Sequence, residues 1–169
     1  MSNIPIEIER KFLISMPDIE QLKRQSNSRV RKMIQTYLIC EKEKKARIRK
    51  IEENGNITYV KTVKERISAL SCFEDERNIT EIEYETLLEI ADKSKESINK
   101  TRYSFEYCGH IIEIDVYGFW SDRAILEVEL SSEDESFSIP EFIKIIKEVS
   151  EDTRYKNTNL AKSVPYDEI

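Results

Sequence analysis

Apolar and charged positions alternate with a period of two over much of this chain, and charged residues of one sign recur in pairs two apart. Glu7/Glu9, Arg47/Arg49, Glu81/Glu83, Lys100/Arg102, Glu113/Asp115 and Glu127/Glu129 each form a pair two residues apart. Beside and between them stand Ile6, Ile8, Ile48, Ile82, Ile112, Ile114, Leu126, Val128 and Leu130. Successive strand side chains point to opposite faces, so each pair projects from one side of its strand and the apolar row from the other. Strands are predicted over 4–14, 32–40, 45–52, 57–65, 73–85, 99–107, 110–118 and 122–131. Polar turns such as Glu53-Asn54-Gly55-Asn56 and Cys108-Gly109-His110 join several of them as hairpins.

Three segments carry helical spacing instead. Pro17 to Lys23 opens with helix-start chemistry. Thr86 to Ser97 presents Leu87, Leu88 and Ala91, with Ile98 following. Ser138 to Ser150 combines a capping serine, Pro140 in the first turn, and Phe142, Ile143, Ile145, Ile146 and Val149 along one side. Nothing divides the chain into repeats or linked parts, which predicts a single domain over 1–169. A β-dominated α+β fold follows, in which an antiparallel sheet closes into an eight-stranded β-barrel. Its charged face lies inside and the flanking helices cover the apolar outside.

Composition narrows the function classes. The chain has 169 residues, 36% of them charged, with a formal net charge of −6. A general nucleic-acid binder would carry a basic footprint, so nucleic acid is not expected as a partner. Cys40, Cys72 and Cys108 form no CxxC pair, and His110, in a turn and expected to be solvated, is the single histidine. That supports neither a zinc site nor a disulfide framework and suits reduced cysteines in a cytoplasmic protein. The N-terminal residues lack a signal-peptide core, and no apolar stretch reaches membrane-spanning length.

A wet strand face ordinarily mixes polar residues. Here acids and bases are segregated strand by strand. The acids are hard oxygen donors without His or Cys companions, which selects Mg2+ or Mn2+. The bases Arg47, Arg49, Lys61, Lys100 and Arg102 suit phosphate oxygens. Acids and bases inside one barrel match metal-assisted phosphoryl transfer, and no P-loop is present.

The segment Glu7-Ile8-Glu9-Arg10-Lys11-Phe12-Leu13-Ile14 resembles the ExExK signature of the CYTH superfamily, the triphosphate tunnel metalloenzymes. Further matches follow in order: Gln35-Thr36-Tyr37-Leu38, Arg47-Ile48-Arg49, Lys61, Glu81-Ile82-Glu83-Tyr84, Lys100-Thr101-Arg102-Tyr103, Ile114-Asp115-Val116-Tyr117, Glu127-Val128-Glu129 and the run Tyr155 to Ala161.

The resemblance implies a tunnel that binds triphosphate with a divalent metal. Glu7, Glu9 and Glu129 would hold a first metal, with Glu127 beside them. Glu81, Glu83 and Asp115 would serve a second. Lys11, Arg47, Arg49, Lys61, Lys100 and Arg102 would grip phosphate, and Lys11 with Tyr37 would aid hydrolysis. Thr36 departs from the glycine usual before the tyrosine.

The implied activity is hydrolysis of inorganic triphosphate, with nucleoside triphosphates as poorer substrates. A class IV adenylyl cyclase and a thiamine or nucleoside triphosphatase are the enzyme alternatives, and a non-catalytic polyphosphate or nucleotide-binding module is the other class. A homodimer stays open.

Overall fold

The computed structural model describes residues 5–169, so Ile4, the expected first residue of the opening strand, lies outside the described residues. Nine strands form one antiparallel sheet: β1 (Ile6–Ser15), β2 (Arg29–Leu38), β3 (Lys44–Glu53), β4 (Asn56–Arg66), β5 (Ser71–Ile79), β6 (Ile98–Tyr107), β7 (His110–Tyr117), β8 (Arg123–Leu130) and β9 (Ile145–Glu148). Their order is β5-β4-β3-β2-β6-β7-β8-β1-β9. The N-terminal half of β1 also pairs with β5, through Ile6 with Phe73, Glu7 with Cys72 and Ile8 with Ser71. That second edge closes the first eight strands into the expected barrel, and β9 lies outside the ring.

Two tight hairpins set the register. Asn54 and Gly55 both have positive φ, as do Cys108 and Gly109, the geometry whose twist matches that of the flanking strands. The first turn places Glu53 opposite Asn56 and therefore Arg49 opposite Val60 and Ile48 opposite Lys61. The second places Tyr107 opposite His110 and Arg102 opposite Asp115.

The apolar outside is covered mostly by irregular chain. Phe12, Ile14, Phe105, Ile112, Ile114, Leu126 and Val128 are buried beneath Leu22 and Ile19 of α1 (Ile19–Lys23) and beneath Phe137, Phe142 and Ile143 of the segment after β8. On the opposite wall Ala46, Ile48 and Ile79 pack against Tyr84 of α2 (Glu81–Leu87). A further cluster closes part of one barrel end. There Leu13, Tyr37, Ile98, Tyr117 and Ile125 meet Trp120, Val149, Tyr155, and Leu160 of α3 (Asn157–Leu160).

Three expected elements differ. The strand over 73–85 stops at Ile79, because Thr80 caps α2. Its hydroxyl accepts the Glu83 N–H while Glu83 accepts the Thr80 N–H, a complete capping box. The helix expected over Thr86–Ser97 consequently starts at Glu81, and a 3-10 turn at Leu88–Ile90 ends it. Ser138–Ser150 is a turn followed by β9, with no helix. Its β-branched residues suit a strand, and the C-terminal half of β1, beyond the reach of β5, offers an open edge that β9 fills at Phe12 to Ile14. His110 is largely buried, with its Nε2 2.8 Å from Glu135 and its ring edge-on to Phe137.

Thr80→Ala should lower the unfolding free energy by about 1 kcal/mol and accelerate amide exchange through Glu81–Leu87 while leaving barrel amides protected. Urea melts with hydrogen exchange measure both, and an unchanged α2 would refute the capping role.

Candidate active site in the barrel lumen

Each strand sends alternate residues inward, and closure brings them face to face around two connected chambers. The first, about 300 Å3, is lined by Glu7, Glu9, Lys11, Tyr37, Lys45, Arg47, Lys64, Arg66 and Cys72, with Lys156 at its mouth. The second, about 450 Å3, is lined by Arg29, Arg31, Arg47, Arg49, Arg102, Glu74, Glu76, Glu113 and Glu129. Glu7 and Arg47 belong to both and mark the junction. Six basic side chains face three acids, Glu7, Glu9 and Glu43, in the first chamber, so it favours an anion unaided. With Glu7, Glu53 and Asp75 also in its lining, acids outnumber arginines in the second, where a polyanion needs accompanying cations.

Cations already hold some carboxylates. Lys64 pairs with Glu7 and Glu74, and Arg49 Nη2 lies 2.7 Å from Glu76. Arg102 meets Asp115 at 2.7 Å, Glu113 at 2.9 Å and Glu127 at 3.1 Å. Lys11 Nζ is 3.2 Å from Glu127. Glu9 and Glu129 have no ion pair among the described residues.

The titration behaviour follows this crowding. Burial, with Glu127 and Glu7 nearby, pushes Glu9 up to about 7 against the pull of Lys11 and Lys64. Burial and Glu7 likewise raise Glu74 to about 7. Burial would raise Glu7 too, but Lys64 and its hydrogen bonds bring it down to about 2. Burial and the adjacent Arg47 pull Arg49 down to about 10. For Lys11, burial is outweighed by Glu127 and Glu9, which hold its ammonium above the ordinary lysine range. Burial raises the Tyr37 phenol, so it stays protonated at neutral pH.

Unpaired groups point to what the lumen is built to receive. The Nε atoms of Arg31, Arg47 and Arg49 are buried without an acceptor, and Glu74 Oε2 is buried without a donor. Buried polar groups are normally paired. These donors match anion oxygens, while Glu9, without an ion pair among the described residues, Glu74, which shares Lys64 with Glu7, and the exposed Glu129 match hard cations. Among the described residues no three acidic, histidine or cysteine side chains converge on one point. The donor chemistry nevertheless fits a divalent ion.

Most of the residues expected from sequence meet here, with several relocated. Glu7, Glu9, Lys11, Tyr37, Arg47, Arg49, Arg102 and Glu129 line the chambers. Glu127 stands behind Lys11 and Arg102. Lys100 and Asp115 are sealed in the wall, 2.6 Å apart, and line neither chamber. Lys61 faces outward, because its register partner is Ile48 of the outer core.

Glu81 and Glu83 sit on the outside in α2, one receiving the Tyr59 hydroxyl and the other occupied by the cap and Arg77. Lumen positions absent from the expected set include Arg31, Lys64, Glu74, Glu76 and Glu113. Thr36 points outward, 2.8 Å from Ser97, and β2 stays regular through Tyr37.

The model of the CYTH domain family matches residues 5–163. The chain is 34% identical to an inorganic triphosphatase of Acetivibrio thermocellus, covering 95% of each protein. It is also 34% identical to an inorganic triphosphatase of Nitrosomonas europaea, covering 94% of this chain and 99% of the relative. A crystal structure of an inorganic triphosphatase, 32% identical, superposes with a TM-score of 0.58 over 95% of this chain and 97% of the other.

The frustrated position of Glu9 is testable in metal-free protein. Folding raises its pKa from 4.5 to about 7, so the folded state binds the proton more tightly than the unfolded chain. Stability from this group is full at low pH and is lost as pH rises through about 7. At pH 8 Glu9→Gln should therefore stabilise the metal-free barrel by about 1–3 kcal/mol, raising Tm by roughly 3–8 °C, whereas near pH 4 the two proteins should melt together. Equal melting at both pH values would contradict the crowding.

Proposed function

The chain belongs to the CYTH domain family, and from that premise we propose that it hydrolyses inorganic triphosphate with a divalent metal, Mg2+ or Mn2+, inside the barrel. The observation that carries this reading is the pairing of opposite deficits in one lumen. Buried arginine donors lack acceptors, and among the described residues neither Glu9 nor the exposed Glu129 has an ion pair. A triphosphate with its metal supplies both. The two curated relatives named inorganic triphosphatase support the same substrate.

Glu7, Glu9 and Glu129 are the residues that would hold the ion, with Glu74 across the junction. A divalent ion bound there would neutralise phosphate oxygens and polarise the anhydride. The rest falls to the chain's own side chains. Arg47, at the junction, and Arg49 and Arg102, beyond it, grip phosphate oxygens, and their attraction strengthens as the leaving phosphate gains charge. Lys64 plays the part first expected of Lys61.

Water adds to a terminal phosphorus, the bridging P–O bond breaks, and pyrophosphate and phosphate result. Gln35 Nε2 donates to the Tyr37 hydroxyl at 2.9 Å, which leaves the phenolic proton free to point into the first chamber. Tyr37 and the ammonium of Lys11 thus act as donors that fix the water and the terminal phosphate. The seclusion of Lys100 and Asp115 gives them a different part: they neutralise one another in the wall and brace Arg102.

Wild-type protein should release phosphate from tripolyphosphate only with Mg2+ or Mn2+, and ATP should turn over more slowly, yielding ADP and no cyclic AMP. Absence of tripolyphosphate turnover, or cyclic AMP as the product, would overturn this reading.

Position-specific variants test the lumen assignment. Lys64→Ala and Glu74→Gln should each lower kcat/KM at least tenfold, while Lys61→Ala, Glu81→Gln and Glu83→Gln should stay within twofold of wild type. The reverse pattern would restore the residues expected from sequence. Tyr37→Phe should lower kcat about tenfold with little change in KM, and unchanged turnover would remove its hydroxyl from the reaction.

A further inference from the structure

Lys11 reaches the lumen from a frame that is built outside it. Its N–H donates to Ser150 Oγ at 2.9 Å, its carbonyl accepts the Val149 N–H at 2.8 Å, and its Nζ lies 3.5 Å from the Tyr155 carbonyl. Apart from Glu127, these partners all come from residues 149–155, the stretch that leaves β9 and returns over the barrel end. Tyr155 is fully buried there against Leu13, Tyr37 and Tyr117.

One carboxylate ties both ends of that stretch. Asp167 Oδ2 accepts from Lys147 Nζ at 2.9 Å, from the Tyr155 hydroxyl at 2.9 Å and from Arg154 Nη2 at 3.0 Å, while Oδ1 accepts from Arg154 Nη1 at 3.0 Å. Its backbone carbonyl accepts from Arg123, and the neighbouring Pro165 carbonyl accepts the Trp120 indole N–H at 3.1 Å. The segment carrying Asp167 is therefore anchored independently on Trp120 of the loop between β7 and β8 and on Arg123 at the start of β8. Lys147 lies opposite Leu13 on β1, so the clamp spans from the strand that bears Lys11 to the residue whose carbonyl faces the Lys11 ammonium. A single anionic side chain with four charge-assisted or hydroxyl contacts restrains both ends better than separate pairs would.

We propose that Asp167 is a positioning residue for the hydrolysis: by clamping Lys147 to Arg154 and Tyr155 it fixes the loop that sets the Lys11 ammonium in the first chamber. Asp167 touches no substrate and acts only through Lys11. This rests on the proposed triphosphatase reading for its kinetic consequence, but the geometric claim does not.

The test is a double-mutant cycle with Asp167→Asn and Lys11→Met, using tripolyphosphate and Mg2+. Asp167→Asn should lower kcat five- to tenfold with KM within twofold. In the Lys11→Met background the same change should have no further effect, because the group it positions is gone. Equal losses in both backgrounds, or no loss in either, would overturn the proposal, since a merely structural effect adds independently. Arg154→Gln, which removes two of the clamp's bonds from an exposed position, should reproduce the phenotype more weakly and serves if Asp167→Asn does not fold.

A second readout needs no turnover. The 15N chemical shift of the Lys11 ammonium in metal-free protein should move in Asp167→Asn while that of Lys64 stays, and an unmoved Lys11 signal would sink the clamp by itself. A wild type inactive on tripolyphosphate but with the Lys11 shift present would remove the triphosphatase reading and leave the clamp standing.

Discussion

Closing β5 onto β1 through Ile6, Glu7 and Ile8 obliges the inward charges of eight strands to share a space where bulk water screens the deeper ones, such as Lys11, Arg49 and Arg102, only weakly. Unscreened charge inside protein is costly unless paired, and the lumen solves this only in part. Asp115 and Lys100 neutralise one another in the wall, Arg102 is balanced by Asp115, Glu113 and Glu127 together, and Lys64 divides itself between Glu7 and Glu74. Glu9 has no ion pair among the described residues, and the buried guanidinium Nε donors of Arg31, Arg47 and Arg49 have no acceptor. Complete pairing would give a more stable barrel with nothing left to bind. The residual imbalance is what a metal and a phosphate chain can relieve.

The period-two pattern was enough to announce a barrel with a charged inside, because alternation is a backbone property that survives any detail of packing. Individual inward positions depend on parity across each hairpin, and there the signal was present but unused. Asn54-Gly55 is a two-residue turn, so counting outward from it pairs Lys61 with Ile48 and sends it to the apolar face. Lys64 falls on the side of Arg47 and Arg49. In the same way Thr80-Glu81-Ile82-Glu83 spells a capping box, which ends β5 early and makes Glu74 and Glu76 the acid pair that points inward. Glu81 and Glu83 imitate it at the same spacing from the wrong side of the cap.

Other features were beyond a local reading. The segment from Ser138 to Ser150 has helical spacing, and only the open edge left on β1 decides for a strand. The burial of Lys100 and Asp115 depends on how far the barrel end is covered by Trp120, Tyr155 and Leu160, which are brought together from distant parts of the chain. The same holds for Asp167, whose partners Lys147, Arg154 and Tyr155 become neighbours only after the chain has folded back over β9.

The two chambers are unlike: lysines supply most of the positive charge in one, whereas arginines supply it in the other and are outnumbered there by acids. A linear triphosphate is its own mirror along its length, so a chain that enters back to front is the same bound species. Only the protein distinguishes the phosphoryl group to be cut from the one to be retained. No encounter is lost to reversed threading, a gain of about a factor of two, or ~0.4 kcal/mol, over a substrate with distinguishable ends. A lopsided container thereby imposes direction on a molecule that has none.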